Sequence, residues 1–353
     1  MTEGFLLSRV LLRFEDESED LIGDLSAVAI TPDGNLWLGS DELLGIERVS
    51  LVEPNIFAHH QHFPLGDFVE LLDQENEIDI EGFDYSDGYL WLTGSHSTKR
   101  KKAKKDLQRL TQIKTEANRY LLVRIPIVNG KPVKSYSPTE DPNEQKRAAT
   151  LETKEASNIL IEALKQDEHL GAIVTSALPS KDNGLDVEGL AVHQNKIFLG
   201  LRGPVLRGWA IILELEIEET EPGILTLKKI EKTDRLYKKH FVNLDGLGVR
   251  ELCLHGEDLI ILAGPTMVLD GAMRVFRWYN ALDYSGDSLS EQESGKLEVL
   301  FDLPFKVGTD RAEGLALYDC LGQKDSLLIV YDSPDPSRRP QPREIFADVF
   351  QLK

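Results

Sequence analysis

Three glutamates recur in this 353-residue chain, each followed by glycine: Glu81-Gly82, Glu188-Gly189 and Glu313-Gly314. Carboxylates brought together in this way suit two kinds of chemistry. They can ligate a hard cation such as Ca²⁺, which takes about six to eight oxygens, or they can exchange protons with a substrate. The matching positions elsewhere in the chain hold Ser26 and Arg250, and the positions two residues earlier hold Asp24, Asp79, Asp186 and Arg311. A second set follows some 15 residues on: Asp41 with Glu42, Ser95-His96-Ser97, Arg202 and Asp332. Glu81, Glu188 and Glu313 form the expected metal set. His96 or the carboxylate of Asp332 is the expected base. Arg202, Arg250, Arg311 and Asp41 are the expected ligand contacts, the arginines gripping an anion through charge-assisted hydrogen bonds. A purely structural ring of ion pairs uses the same residue types, and the sequence leaves that alternative open.

These residues recur because the chain repeats. A strand carrying the marker residue is followed by a turn and then a strongly apolar strand. Asp186–Val192 before Lys196–Arg202 is the clearest copy; Asp24–Ile30, Asp79–Tyr85, Gly248–Leu254 and Arg311–Leu317 open the others. The markers Ser26, Glu81, Glu188, Arg250 and Glu313 are 55, 107, 62 and 63 residues apart. Strand repeats of this length predict an all-β fold, a single β-propeller. The 107-residue interval has room for a degenerate copy, so the expectation is five or six blades. Third strands are expected over Gly45–Leu51, Asn118–Val128, Trp209–Ile217, Met273–Tyr279 and Glu344–Leu352. Outer strands are expected over Phe68–Leu72, Gly171–Leu178, Leu236–Leu244 and Lys296–Leu303. Phe5–Phe14 would close the ring against the C-terminal strand and remove an exposed edge. With a strand period of two, each marker shares a face with the apolar residue two positions on, and the innermost strands carry the markers to the channel mouth. The glycine after each glutamate lets neighbouring backbones approach.

Residues 97–168 read as an insertion on the propeller. Ser97–Thr115 is lysine-rich and is expected as a helix, and Thr150–Gln166 has helical apolar spacing. Ser135–Lys146, with Pro138 and Pro142, is expected as a loop, as are His59, His60 and His62.

The formal charge is −20. That speaks against a nucleic-acid partner or an anionic membrane, both of which call for a broad basic surface. The tract Lys99–Lys105 holds six positive charges, which leaves −26 on the rest of the chain. It could dock an anionic partner or be a solvated surface. Two cysteines, Cys253 and Cys320, are too few for a disulfide framework. The start of the sequence lacks the pattern of a secretory leader, and no apolar run approaches a membrane span. A cytoplasmic location is therefore expected. Neither a nucleophile elbow nor a phosphate-binding glycine loop is found.

Gly94-Ser-His-Ser97 followed by Lys99-Arg-Lys-Lys102, and Gly200-Leu-Arg-Gly-Pro-Val-Leu-Arg-Gly-Trp209, resemble an uncharacterised bacterial β-propeller family defined only as a domain of unknown function. A looser likeness is to the regucalcin/gluconolactonase group and to phytase- or esterase-like propellers. In the regucalcin group a Glu-Gly pair on an inner strand supplies a metal ligand. The resemblance therefore implies calcium at Glu81, Glu188 and Glu313, and hydrolysis of a small anionic, ester or lactone substrate. This chain departs from that pattern: it has three such pairs, and Phe83, Leu190 and Leu315 stand where a proline is expected. A non-catalytic binding module is the alternative expectation.

Overall fold

The computed structural model describes residues 3–15, 19–73, 76–139, 144–230 and 234–352. The predicted hairpins form. Ser86 pairs with Tyr89 across Asp87-Gly88, both at positive φ (52° and 84°), the two-residue turn that matches strand twist. Each hairpin extends into an antiparallel run of four strands. The first unit is Leu25–Ile30, Asn35–Ser40, Gly45–Glu53 and Ile56–Pro64. The second is Ile80–Ser86, Tyr89–Gly94, Leu122–Val128 and Ala149–Leu151. The third is Asp186–His193, Lys196–Gly203, Ala210–Glu221 and Tyr237–Val242. The fourth is Gly248–His255, Asp258–Gly264, Arg274–Trp278 and Leu297–Asp302. The last is Arg311–Cys320, Gln323–Asp332 and Glu344–Phe350, completed by Leu6–Arg13 from the start of the chain.

The first strands pack side by side, each against the next and the last against the first. Five apolar clusters fill the gaps between consecutive units. Ile80 and Ala27 share one, Leu190 and Trp91 the next, Phe276 and Ala191 a third, Leu327 and Ile260 a fourth, Val28 and Leu328 the fifth. This closed arrangement is a β-propeller. Its glycines behave as the sequence implies: a Cβ on Gly82 would lie 2.8 Å from Leu190 Cβ, so only glycine lets those two inner strands meet.

Residues 97–168 depart from the expected pair of helices. Ser97–Thr115 is not a helix. Lys99–Arg100 pairs with Ile113–Lys114, and one 3₁₀ turn, Leu107–Thr111, lies between them. A helix would stack like charges four apart, Arg100 on Lys104 and Lys101 on Lys105, which disfavours it. The extended form instead sends Lys99 to Glu116 (2.7 Å) and Arg100 to Asp182 (2.7 Å). Within Thr150–Gln166 only Ile159–Leu164 is helical, started by Asn158 Oδ1 accepting from the Ile161 amide (3.0 Å). Ala149–Leu151 is the outer strand of the second unit, and Leu122–Val128 is also a propeller strand. The expected outer strand Gly171–Leu178 contains the short helix Gly171–Thr175. Phe68–Leu72 likewise forms no strand, because Ile56–Pro64 fills that role and carries His59, His60 and His62. In Ser135–Lys146, Ser135–Tyr136 pairs with Lys146–Arg147, while Pro142 lies outside the described residues. Among the described residues, no helix is long and apolar enough to cross a membrane.

The strand Leu6–Arg13 holds the last unit together, and Leu12 on it is fully buried. Leu12→Ala should cost about 2–5 kcal/mol of stability, read from the denaturant midpoint. Leu6→Ala, at a position 43% exposed, should stay within about 0.5 kcal/mol. Equal effects would show that this strand does not close the fold.

Candidate functional site

The strand alternation expected at the markers is broken in the same place in every unit. The pairing of first and second strands skips between Leu25 and Ala27, Ile80 and Gly82, Val187 and Gly189, Val249 and Glu251, and Ala312 and Leu315. Ser26, Glu81, Glu188, Arg250 and Glu313 fall in these skips. Each is therefore a bulge residue, and a bulge re-aims its side chain. Glu81, Glu188, Arg250 and Glu313 line one cavity of about 420 Å³ at the channel mouth, together with Asp41, Asp79, Asp186, Arg202, Arg311 and Asp332. Ser26 is turned to the neighbouring unit, and its hydroxyl donates to the Ile80 carbonyl.

Most floor carboxylates are paired with buried arginines. Arg202 contacts Asp186 and reaches Glu188 Oε1 at 2.6 Å. Arg250 Nε lies 3.0 Å from Glu188 Oε2, and its Nη2 contacts Glu313. Arg119 binds Asp79 at 2.6 Å and donates to Ser97 Oγ at 2.7 Å. Burial pushes the Glu188 carboxyl up to about 7, even though Arg202 and Arg250 pull it down. Arg202 is held above the usual guanidinium range because Asp186 and Glu188 outweigh its burial.

Asp41 and Glu81 differ. Neither has an ion pair or hydrogen bond among the described residues, and Asp41 Oδ1 is buried without a partner. Burial, followed by the charges of Asp79, Asp332, Asp24 and Glu42, raises Asp41 to about 8. Burial and then Glu188, Asp79, Asp186 and Asp41 push Glu81 well above the carboxylate range.

The expected metal set is not a cage. The guanidinium of Arg250 bridges Glu188 and Glu313, and a cation there would have to displace it. Among the described residues, no group of three or more His, Cys, Asp or Glu is placed to hold a metal ion. Arg202 and Arg250, expected to grip an anion, are already bound to carboxylates. Arg311 does line the cavity, 3.5 Å from Asp332, and is half exposed.

His96 is corrected as a base. It is buried outside the cavity, against Tyr120. Asn158 Nδ2 donates to its Nε2 at 2.8 Å, so Nδ1 carries the proton and donates to the Gly94 carbonyl at 2.9 Å. Burial lowers it to about 4. His60 and His62 are not loop residues either: they bind the buried carboxylate of Glu47 at 2.7 and 2.6 Å.

The sequence pattern missed three parts of the site. Arg119 stands at the start of the expected third strand Asn118–Val128, in the turn Ala117–Tyr120, and at neither of the offsets that marked the site. Lys181 lines the rim from a 3₁₀ turn, and Met267, Val268, Leu269 and Phe305 form an apolar lip. Only the lysine tract gave a signal for the rim: Lys99, Lys101, Lys102 and Lys104 line the cavity.

The chain belongs to the family described as protein of unknown function (DUF3616). Its profile matches residues 24–348, so the family spans the first strand of each unit described above and the basic hairpin. No curated protein matches the chain in sequence. Among solved structures it is similar to virginiamycin B lyase from Staphylococcus aureus (9% identity, 98% of this chain and 99% of that one, TM-score 0.37). It is also similar to the PQQ-bound form of aldose sugar dehydrogenase from Streptomyces coelicolor (10%, 97% and 98%, TM-score 0.38). A third is Sqt1 from Saccharomyces cerevisiae (9%, 100% and 100%, TM-score 0.35).

Two predictions test this family member's ion-pair ring and its histidine. Arg250→Met strands Glu313 and part of Glu188, and should cost about 3–5 kcal/mol. Adding Glu188→Gln should recover part of that loss in a double-mutant cycle. A loss under about 1 kcal/mol would remove the ring from the account of stability. For His96, a folded pKa near 4 against 6.5 unfolded means that only the unfolded chain gains the proton between those values. Stability should therefore fall by roughly 3 kcal/mol as pH drops from about 6.5 to about 4. An NMR titration showing His96 protonated at pH 6 would refute this.

Proposed function

We propose that the channel mouth is a small-ligand site and that the protein is a hydrolase working by general acid–base catalysis. Asp41 and Glu81 are its proton-holding carboxyl groups. One observation carries the reading: these two groups share a cavity with no cation partner, whereas Asp79, Asp186, Glu188 and Glu313 are each paired with an arginine. A group raised to about 8 keeps its proton at neutral pH and can deliver it. In this reading water attacks the carbonyl carbon of an ester or lactone. Asp332, in the same cavity, takes the water proton, and Asp41 protonates the leaving oxygen as its bond to carbon breaks. Glu81 donates a hydrogen bond to the substrate. The ring of first strands is read as five blades, with Arg119, Arg202 and Arg250 as scaffold and without calcium. A non-catalytic binding module is favoured by the exposed apolar lip, where Val268 is 70% and Leu269 60% exposed.

The test is a screen of lactones, aryl esters and phosphomonoesters with wild type, Asp41→Asn and Glu81→Gln. Asp41→Asn should lower kcat by about 10² or more, and wild-type kcat/KM should decline above pH about 8 as Asp41 loses its proton. Stability moves in the same direction with pH, over a lower range. Because the folded pKa is raised, the folded chain holds more protons, and wild type loses stability as pH climbs from about 4 to about 8. Asp41→Asn should then melt higher than wild type at pH 9, by upward of about 1 kcal/mol even after screening. Full activity in Asp41→Asn would sink the acid role, and ligand binding without turnover would favour the module. Ca²⁺ and EDTA should leave the Tm unchanged. A gain near about 2.7 kcal/mol at 100-fold over Kd would instead restore calcium.

A further inference from the structure

The ion pairs of the cavity divide it into two halves. On the floor the arginines are used up. At the rim the reverse holds: Lys101, Lys102, Lys104, Arg109 and Lys181 line the opening, and none has a carboxylate partner among the described residues. Lys101 donates to Gln112 Oε1 at 2.6 Å and Arg109 Nε to the Lys102 carbonyl at 2.9 Å, contacts that position the cations without neutralising them. The hairpin that carries four of them is fixed in place. Lys99 is tied to Glu77 and Glu116, and Arg100 to Asp182. Five uncompensated cations on a chain of charge −20 therefore face one opening.

We infer that the ligand of this site carries a phosphate group, held at the rim by Lys101, Lys102, Lys104 and Lys181, with its uncharged reactive end on the floor beside Asp41 and Glu81. This rests on the acid–base reading of the floor and adds the substrate class. Phosphate is chosen over carboxylate on geometry. A carboxylate is best met by one planar arginine fork, whereas a compact dianion is met by several ammonium point charges. The reactive end enters first, because the floor carboxyls would repel the dianion. The apolar lip, which lines the same cavity, covers the middle of the ligand. The phosphate is a handle in this proposal, and no bond to phosphorus is broken.

The probe is inorganic phosphate, titrated calorimetrically at low salt into wild type, Lys101→Gln/Lys102→Gln/Lys104→Gln and Asp41→Asn. Wild type should bind, and raising NaCl should weaken binding because the rim is exposed to screening. The triple variant should bind at least about tenfold more weakly with an unchanged Tm. Asp41→Asn should bind phosphate as wild type does, since Asp41 lies on the floor. Undiminished binding by the triple variant overturns the proposal, as does binding of a short oligonucleotide or an acidic peptide where phosphate gives no heat. The two readings fail separately: loss of the acid role is read from Asp41→Asn turnover of uncharged esters, which carry no phosphate.

Discussion

Repetition forces like charges together, and the fold depends on how they are neutralised. Building the ring from similar units puts the same position of each first strand around one opening, so three glutamates meet there with Asp79 and Asp186. Left alone, such a cluster in low dielectric would be strongly destabilising. Three buried arginines offset it, and each comes from a different place in its unit. Arg250 replaces the glutamate at the marker itself, Arg202 ends a second strand, and Arg119 leads into a third. Each joins carboxylates that the repeat alone would have left facing one another. A buried pair of this kind contributes little net stability over an apolar packing, but it is costly to break. Of the three, only Arg250 crosses between units, binding Glu188 of the third and Glu313 of the last, and so helps to fix which unit sits beside which.

The same inner strands must also satisfy a backbone edge with no further strand to pair with. Acidic side chains of the inner strands supply acceptors, two of them across to a neighbouring unit. Glu251 Oε1 accepts from the Leu190 and Leu252 amides, both at 2.9 Å, and Asp84 Oδ2 accepts from the Val192 amide at 2.6 Å. Burial pushes Glu251 well above the carboxylate range and Asp84 up to about 6. These acids clip neighbouring units together through their backbones. Raised carboxyls therefore stand in three settings in this molecule. Glu251 and Asp84 are bonded to amides, Glu188 is paired with arginines, and Asp41 and Glu81 have no ion pair or hydrogen bond among the described residues.

The repeat, the ring closure by Leu6–Arg13 and the acidic mouth were legible from the sequence because they rest on periodicity and on charge at fixed offsets. The bulges were not. A bulge is a property of the pairing of two strands, and a period-two reading of Asp186–Val192 passes straight through it. His96 misled for a related reason. It ends a second strand, as Asp41, Arg202 and Asp332 do, yet Asn158, 62 residues away, fixes its tautomer and closes it off. The histidines of Ile56–Pro64 looked like a loop because their partner, Glu47, lies on the adjacent strand. Polar residues at strand spacing are invisible as a buried cluster until the register is known. The lysine tract looked helical by composition, but Lys99 and Arg100 have acids to reach in the extended form, and those acids are distant in sequence.

The two distributions of charge are linked. The acidic floor could exist without a basic rim, since Arg119, Arg202 and Arg250 already balance most of it. The rim cations play no such structural part. Apart from Lys99, Arg100 and Lys114, the hairpin's basic side chains lining the cavity have no acid partner among the described residues. Keeping them unpaired beside one another costs Coulomb energy in the empty protein. In the proposed site a bound anion offsets that cost, and the negative field of the remaining surface directs it toward the basic opening.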